Sequence, residues 1–172
     1  MEIVIIGGGI VGLLSAWVLA QAQCKVTILE KNAGALESSW AGGGIVSPMY
    51  PWRYSPAVTA LAQLAQAEYP YLAQQLLAAT GIDIELNTCG MLMLEADDTR
   101  DALAWGKQYQ QQIMSLSATD ISLLSPLLAD FTKGLWLPKV ANVRNPRLLK
   151  ALLQAVSQLG VHYIPHTEIV RW

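Results

Sequence analysis

Residues 2–30 read EIVIIGGGIVGLLSAWVLAQAQCKVTILE, and this stretch decides the fold. Ile3-Val4-Ile5-Ile6 is a short apolar, β-branched run of the kind a buried parallel strand uses. Gly7-Gly8-Gly9-Ile10-Val11-Gly12 follows at once and fits G-x-G-x-x-G, with Gly7, Gly9 and Gly12 in the glycine slots. Gly7 permits a tight strand-to-helix turn, Gly9 lets a pyrophosphate approach bare backbone, and Gly12 lets the helix pack closely on the strand. A helix beginning near Ile10 aims its first amides, those of Ile10 and Val11 among them, at that phosphate, with roughly half a positive charge. Lys25-Val26-Thr27-Ile28-Leu29 predicts a second strand ending on Glu30. A carboxylate there accepts hydrogen bonds from both hydroxyls of an adenosine ribose and repels a 2′-phosphate, which argues against NADP. A glycine turn of purely structural purpose is the plainer alternative. Against it, strand, glycines, helix, second strand and terminal acid all fall in register within one short stretch.

Residues 3–20 carry no charge, and Ala20-Gln21-Ala22 resembles a signal-peptidase site. A secretory signal needs a positive leader, and only Met1 and Glu2 precede the apolar run. A membrane span would be interrupted by three consecutive glycines and would barely reach the ~20 residues required. The stretch therefore reads as core.

At 172 residues the chain has room for one domain, or one domain and part of another. It is 53% hydrophobic and 14% charged, which suits buried parallel strands or a surface that expects a partner, another copy of the chain included. A net charge of −2 gives no reason to expect nucleic acid or an anionic membrane as a partner. Cys24 and Cys89 have no C-x-x-C neighbour and read as buried, reduced thiols, so a reducing cytoplasm is the default setting.

After the polar loop 31–37 comes Ser38-Ser39-Trp40-Ala41-Gly42-Gly43-Gly44-Ile45-Val46-Ser47-Pro48. The hydroxyls of Ser38 and Ser39 can donate to phosphate oxygens, and amides from Gly43 through Gly44 to Ile45 can reach the edge of a flat ring. A flexible linker is the bland alternative, but linkers rarely carry Trp and an Ile-Val pair.

Together Gly7-x-Gly9-x-x-Gly12, Glu30-Lys31 and Ser38-Ser39-Trp40-Ala41-Gly42-Gly43-Gly44 resemble the FAD-dependent D-amino acid oxidase superfamily. The loop running into Ser47-Pro48-Met49-Tyr50-Pro51-Trp52-Arg53-Tyr54 is most similar to bacterial glycine oxidases of thiamine biosynthesis. The resemblance implies an α/β fold. A Rossmann-like FAD-binding domain would occupy residues 1–80 and 145–172, and residues 81–144 would form part of an antiparallel substrate domain. It implies FAD as cofactor, held by Gly7, Gly9, Ile10, Val11, Gly12, Glu30, Lys31, Ser38, Ser39, Gly43, Gly44 and Ile45, with backbone near Ile169 meeting the adenine. The implied activity is oxidation of a small amino acid's amine, glycine with oxygen and water giving glyoxylate, ammonia and hydrogen peroxide. Such a site needs no internal base when the amine arrives neutral.

Members of that family are considerably longer, so the chain is expected to be truncated and to correspond to their N-terminal part. The family's arginine and tyrosine clamp for the substrate carboxylate falls outside that part. Arg53, Arg144 and Arg147 do not match its positions, and no catalytic residue is assigned. A D-amino acid dehydrogenase, a sarcosine oxidase or the oxidase module of a tRNA-modifying enzyme stays open as an alternative. So does a flavin-binding fragment without turnover. NAD fits the Ser38–Ile45 loop less well than a flavin.

The remaining chain reads as scaffold. Ser55-Pro56 opens a helix with apolar positions Leu61, Leu64, Ala65, Leu72, Leu76 and Leu77 that closes at Gly81, and Pro70 is expected to kink or split it. Trp52 and Tyr54 read as packing anchors. Ile82 to Glu95 reads as extended chain, with a strand at Met91–Leu94. Asp97-Asp98 favours the N-terminus of a helix running to about Gln112, Ser125-Pro126 starts a short helix, and Gly134–Pro138 is a strand. Asn145 is expected to cap a helix that closes at Gly160, followed by a strand over Val161–Val170. His162 and His166 stand four apart, but Pro165 and the strand pattern keep them off a common helical face, so no metal site is assigned.

Overall fold

The computed structural model describes residues 1–34 and 37–171, so Ala35 and Leu36 of the polar loop, and Trp172, lie outside the described residues. The chain divides into two compact units. The first holds residues 1–44, 69–86 and 143–172, and the second holds residues 45–68 and 87–142.

In the first unit, β1 (Glu2–Ile6), α1 (Ile10–Gln21) and β2 (Lys25–Leu29) form the expected βαβ element. The strands run parallel, paired from Glu2↔Lys25 to Ile6↔Leu29. A four-residue helix, α2 (Ser38–Ala41), follows the loop. The chain returns through α6 (Asn145–Gln158) and β8 (His162–Ile164), and β8 adds parallel to β2, giving the order β1-β2-β8. The core gathers Leu13, Ala16 and Trp17 of α1, Val26 and Ile28 of β2, and Leu148, Leu152 and Val156 of α6. Helix α6 ends as its glycine predicts. Gly160 takes φ +77, its amide donates to the Ser157 carbonyl at 3.0 Å, and the Val161 amide donates to the Val156 carbonyl at 3.1 Å. These two bonds satisfy carbonyls that the helix leaves open.

Several expectations are corrected in this unit. Val4 and Ile6 are 62% and 56% exposed, because β1 is the edge of the described sheet and one of its faces is open. The strand expected over residues 161–170 pairs only from His162 to Ile164, since Pro165 has no amide to donate and His166 turns to φ +55. Two further bonds, from His166 to Asn32 and from Thr167 to Glu30, keep the chain alongside without strand geometry. Asn145 does not cap α6 with its side chain. It is the first helical residue, and its Nδ2 donates to the Gly42 carbonyl at 2.9 Å. Ile84 is buried and accepts the Arg144 amide outside any strand, with Glu85 at φ +56 behind it.

Helix α3 (Pro56–Thr80) runs unbroken through Pro70, with residues 56–68 in the second unit and 69–80 in the first. The boundary thus falls inside the helix and not at residue 80. Its leucines do not share one buried face. Leu76 is fully buried, whereas Leu61, Leu64 and Leu77 are exposed and Thr59 is buried.

In the second unit, β4 (Met91–Leu94), β6 (Lys133–Leu137) and β5 (Met114–Ser117) form an antiparallel sheet with β6 in the centre. β3 (Asn87–Thr88) pairs with β7 (Ala141–Asn142). Met93, Ala96, Ala102, Leu135, Leu137 and Val140 make the core, with Tyr50 and Trp52 packed against it. Trp52 is therefore an anchor, and Tyr54, 48% exposed, is not. Cys89 is exposed between β3 and β4, and Cys24 is half-buried; both are free. Helix α4 (Thr99–Gln108) stops short of Gln112, because Gln110 takes φ +54 and the Gln111 amide donates back to the Gly106 carbonyl. Helix α5 (Ala118–Leu124) has no counterpart among the sequence expectations, and Ser117 with Asp120 forms a capping box at its start. Pro126–Leu128 is a short 3-10 turn. Asp97 pairs with Lys133, while the Asp98 carboxylate turns away from the α4 amides to accept from Trp52 Nε1 at 2.7 Å and Arg53 Nε at 2.6 Å.

Candidate functional site

The turn between β1 and α1 brings most of the singled-out residues together. Gly7 takes φ +100, a conformation that a side chain would strain, and its amide donates to the Leu29 carbonyl at the end of β2. A Cβ on Gly12 would lie 2.0 Å from the Gly7 carbonyl oxygen, so only glycine lets α1 start this close to the strand end. Of the four amides at the start of α1, that of Ile10 donates to Ser39 Oγ at 3.1 Å. Those of Gly9, Val11 and Gly12 have no acceptor among the described residues. Helix starts leave such donors open and carry partial positive charge, which suits an anion. Ser39 accepts here through its oxygen and keeps its own proton to donate.

Glu30 stands at the tip of β2, 7% exposed. Its Oε2 accepts the Gly8 amide at 2.6 Å and its Oε1 accepts the Asn32 amide at 3.0 Å. The carboxylate thus ties the glycine turn to the second strand, and each oxygen has a lone pair left for a further donor. Lys31 is exposed and paired with Glu37 at 2.9 Å, and that carboxylate raises its pKa.

Ser38 and Ser39 lie in α2, with Ser38 exposed. The glycines behind them differ in role. Gly44, at φ +71, donates no space: a Cβ would meet the Val143 carbonyl at 2.0 Å, and its own carbonyl accepts the Val143 amide at 2.9 Å. Around Gly43 a Cβ would meet nothing within 4 Å, so its backbone presents an open face. Ile45 belongs to the second unit, where it bridges Asn142 and is 44% exposed. Ile169 lies beyond β8 and is 37% exposed.

Tyr163 at the centre of β8 is a residue that sequence patterns do not single out. It is paired with Ile28, and its hydroxyl would come within 2.5 Å of a Cβ placed on Gly8. Nothing in a local alternation of residues signals that this phenol reaches a turn far away in the sequence. Burial and then the neighbouring Glu30 charge raise its pKa.

The second unit holds a cavity of about 480 Å³ lined by Tyr54, Thr59, Gln66, Trp105 and Lys139, among others. Its volume is that of a small-molecule pocket, and Ser47, Pro48, Pro51 and Tyr54 of the loop after Ile45 line it, but none of the cofactor-binding candidates does. Among the described residues, no three of His, Cys, Asp and Glu gather as a metal site, and no helix is long and apolar enough to cross a membrane.

Residues 2–172 match the family described as FAD dependent oxidoreductase. The chain is 45% identical over 175 residues to the glycine oxidase of Pseudomonas aeruginosa, covering 99% of this chain and 48% of that protein. It is 48% identical over 173 residues to the glycine oxidase of Pseudomonas putida, covering 98% of this chain and 47% of that protein. The crystal structure of glycine oxidase from Bacillus cereus superposes with a TM-score of 0.87 at 27% identity, over 98% of this chain and 47% of that one. The chain spans about half the length of the curated relatives it matches.

Proposed function

The chain belongs to the FAD-dependent oxidoreductase family, and on that footing we propose that the protein oxidises the amine of a small amino acid in the manner of a glycine oxidase. The observation that carries this reading is the convergence of Gly8, Ile10, Glu30 and Ser39 on one turn beside the open amides of Gly9, Val11 and Gly12. Bound there, FAD supplies a two-electron oxidation of the amine, so that glycine, oxygen and water give glyoxylate, ammonia and hydrogen peroxide.

The chain's own part is binding and placement. In this reading the amides at the α1 start and the hydroxyls of Ser38 and Ser39 hold the pyrophosphate. Glu30 holds the ribose beside Lys31, and Gly7 shapes the turn. Backbone of Gly43, Gly44 and Ile45 lies along the ring, and backbone near Ile169 lies along the adenine. The first unit serves the cofactor and the second belongs to the substrate side. The two free cysteines fit a reducing cytoplasm, and the open face of β1 fits association with another copy.

A second reading, cofactor binding without turnover by this chain, is favoured by the state of three arginines. Arg53 pairs with Asp98, and Arg144 and Arg147 both pair with Glu85, so each of the three already has a carboxylate partner within the chain. An absorbance spectrum of the purified chain, then release of ligand by denaturation, tests the common premise. Flavin bands near stoichiometry support it, and a colourless chain that takes up no added FAD overturns it. Glycine-driven peroxide release then separates oxidase from bare binder.

A further inference from the structure

We propose that Asn145 is a positioning residue for the flavin end of the cofactor, acting through the glycines of residues 42–44; this rests on the cofactor reading above. Three observations carry it. Asn145 Nδ2 donates to the Gly42 carbonyl at 2.9 Å across 103 positions of sequence. The Val143 amide donates to the Gly44 carbonyl at 2.9 Å, a second tie between the same two segments. A Cβ on Gly42 would lie 2.7 Å from Asn145 Nδ2, and one on Gly44 would lie 2.0 Å from the Val143 carbonyl oxygen and 3.4 Å from Asn145 Oδ1. Residues 143–145 thus fill one side of Gly42 and Gly44, whereas Gly43 between them is exposed and open.

Glycine loses more backbone freedom on ordering than any other residue, so a run of three is costly to hold still. Tied at both ends, the run presents the Gly43 backbone in one arrangement before a ligand arrives, and binding does not have to order it. Helix α6 does not depend on the same bond. Asn145 is its first residue, Pro146 follows with the backbone a helix start favours, and the Asn145 amide is spent on the loop. The phosphate end stands on other ties, from the Gly8 amide to Glu30 and from the Ile10 amide to Ser39. Loosening residues 42–44 therefore falls on the ring end of the cofactor.

The test is a cycle of Asn145→Ala, Gly42→Ala and the two together. Gly42 has φ −62 and ψ 146, which alanine adopts freely, so its methyl collides only with Asn145 Nδ2. FAD affinity is titrated by flavin fluorescence, ADP affinity by calorimetry and apoprotein melting by circular dichroism, and the visible band of the bound flavin is recorded. Each single variant is expected to bind FAD about three- to tenfold more weakly and to shift the flavin band, with ADP affinity within about twofold and the double variant no weaker than the weaker single. Losses that add in the double variant show that the two residues act apart, and overturn the proposal. Equal loss of FAD and ADP overturns the placement at the flavin end. A lowered melting temperature with an unshifted flavin band makes Asn145 a strut of the fold alone, and also overturns it. A wild-type chain that takes up no FAD overturns this proposal together with the function above, whereas normal FAD binding by Asn145→Ala overturns this one alone.

Discussion

The Gly8 amide donates to Glu30 Oε2 at 2.6 Å across 22 positions of sequence, and that bond fixes the glycine turn to the tip of β2. One carboxylate therefore organises the site before any ligand arrives. It neutralises a buried donor that the turn would otherwise leave unpaired, and it holds the end of β2 level with the start of α1.

Glu30→Ala is expected to lower the stability of the apoprotein by about 1–3 kcal/mol, since it leaves the Gly8 amide buried without an acceptor. Glu30→Gln retains an acceptor and is expected to lose less. Both weaken FAD. Urea denaturation and FAD titration measure the two effects separately, and an apoprotein of unchanged stability in Glu30→Ala would show that the Gly8 bond contributes nothing.

Two glycines separate packing from ligand approach. Gly12→Ala places its methyl on the Gly7 carbonyl, which is backbone and cannot step aside, so a loss of about 3 kcal/mol or of soluble expression is expected. Gly43→Ala meets open space and leaves the melting temperature within a few degrees. If Gly43 backbone lies along the flavin, the same substitution weakens FAD binding. Parallel melting and titration of the two variants decide.

Asp98 gives the second unit an acid-sensitive latch. The bond from Arg53 holds its pKa at about 2, below the ordinary 3.8, with burial opposing and the Trp52 bond adding to the fall. A carboxylate whose pKa is lower in the folded state stabilises the fold above its unfolded pKa, and loses that contribution as pH falls through the folded value. Stability that Asp98 supplies is thus complete above about pH 4 and disappears towards pH 2. Melting curves of wild type and Asp98→Asn are expected to differ at pH 5 and to converge near pH 2; a constant difference over that range would contradict the latch.

Ser117→Ala removes the side chain that accepts the Asp120 amide and receives the box at the start of α5, and is expected to lower stability by about 1 kcal/mol. Asp120→Ala is expected to do the same, and the pair together less than the sum, because both remove the bond that Ser117 Oγ donates to Asp120 Oδ2. Chemical denaturation of the three variants measures it.

The open face of β1 is expected to drive association. Val4→Lys with Ile6→Lys puts charge where apolar side chains face out, so size-exclusion chromatography should show a shift to smaller species with little change in melting temperature. Unaltered elution would place the association surface elsewhere.

What was legible in the sequence was local. Strand, glycine turn, helix and second strand from Glu2 to Leu29 are written in hydrophobic runs and in glycines whose backbone needs no context, and so is the closure of α6 at Gly160. The place of Glu30 beside the turn was legible too, because spacing within one βαβ element leaves little freedom, whereas the bond from the Ile10 amide to Ser39, which lies beyond that element, was not.

Pairings made across the chain were not. Asn145, placed like a helix cap, spends its amide on the Gly42 carbonyl, and Asp98 spends its carboxylate on Trp52 and Arg53. Leu61 and Leu64 look like core and are exposed, while the polar Thr59 is buried. The amino-acid sequence by itself determined the dinucleotide-type turn and the residues offered to it. Only the tertiary structure decided which donors there are already taken, that α3 passes unbroken through Pro70, and that Tyr163 ends beneath Gly8. Propensity and capping act over a few residues, whereas hydrogen-bond partners and burial depend on segments that only folding brings together.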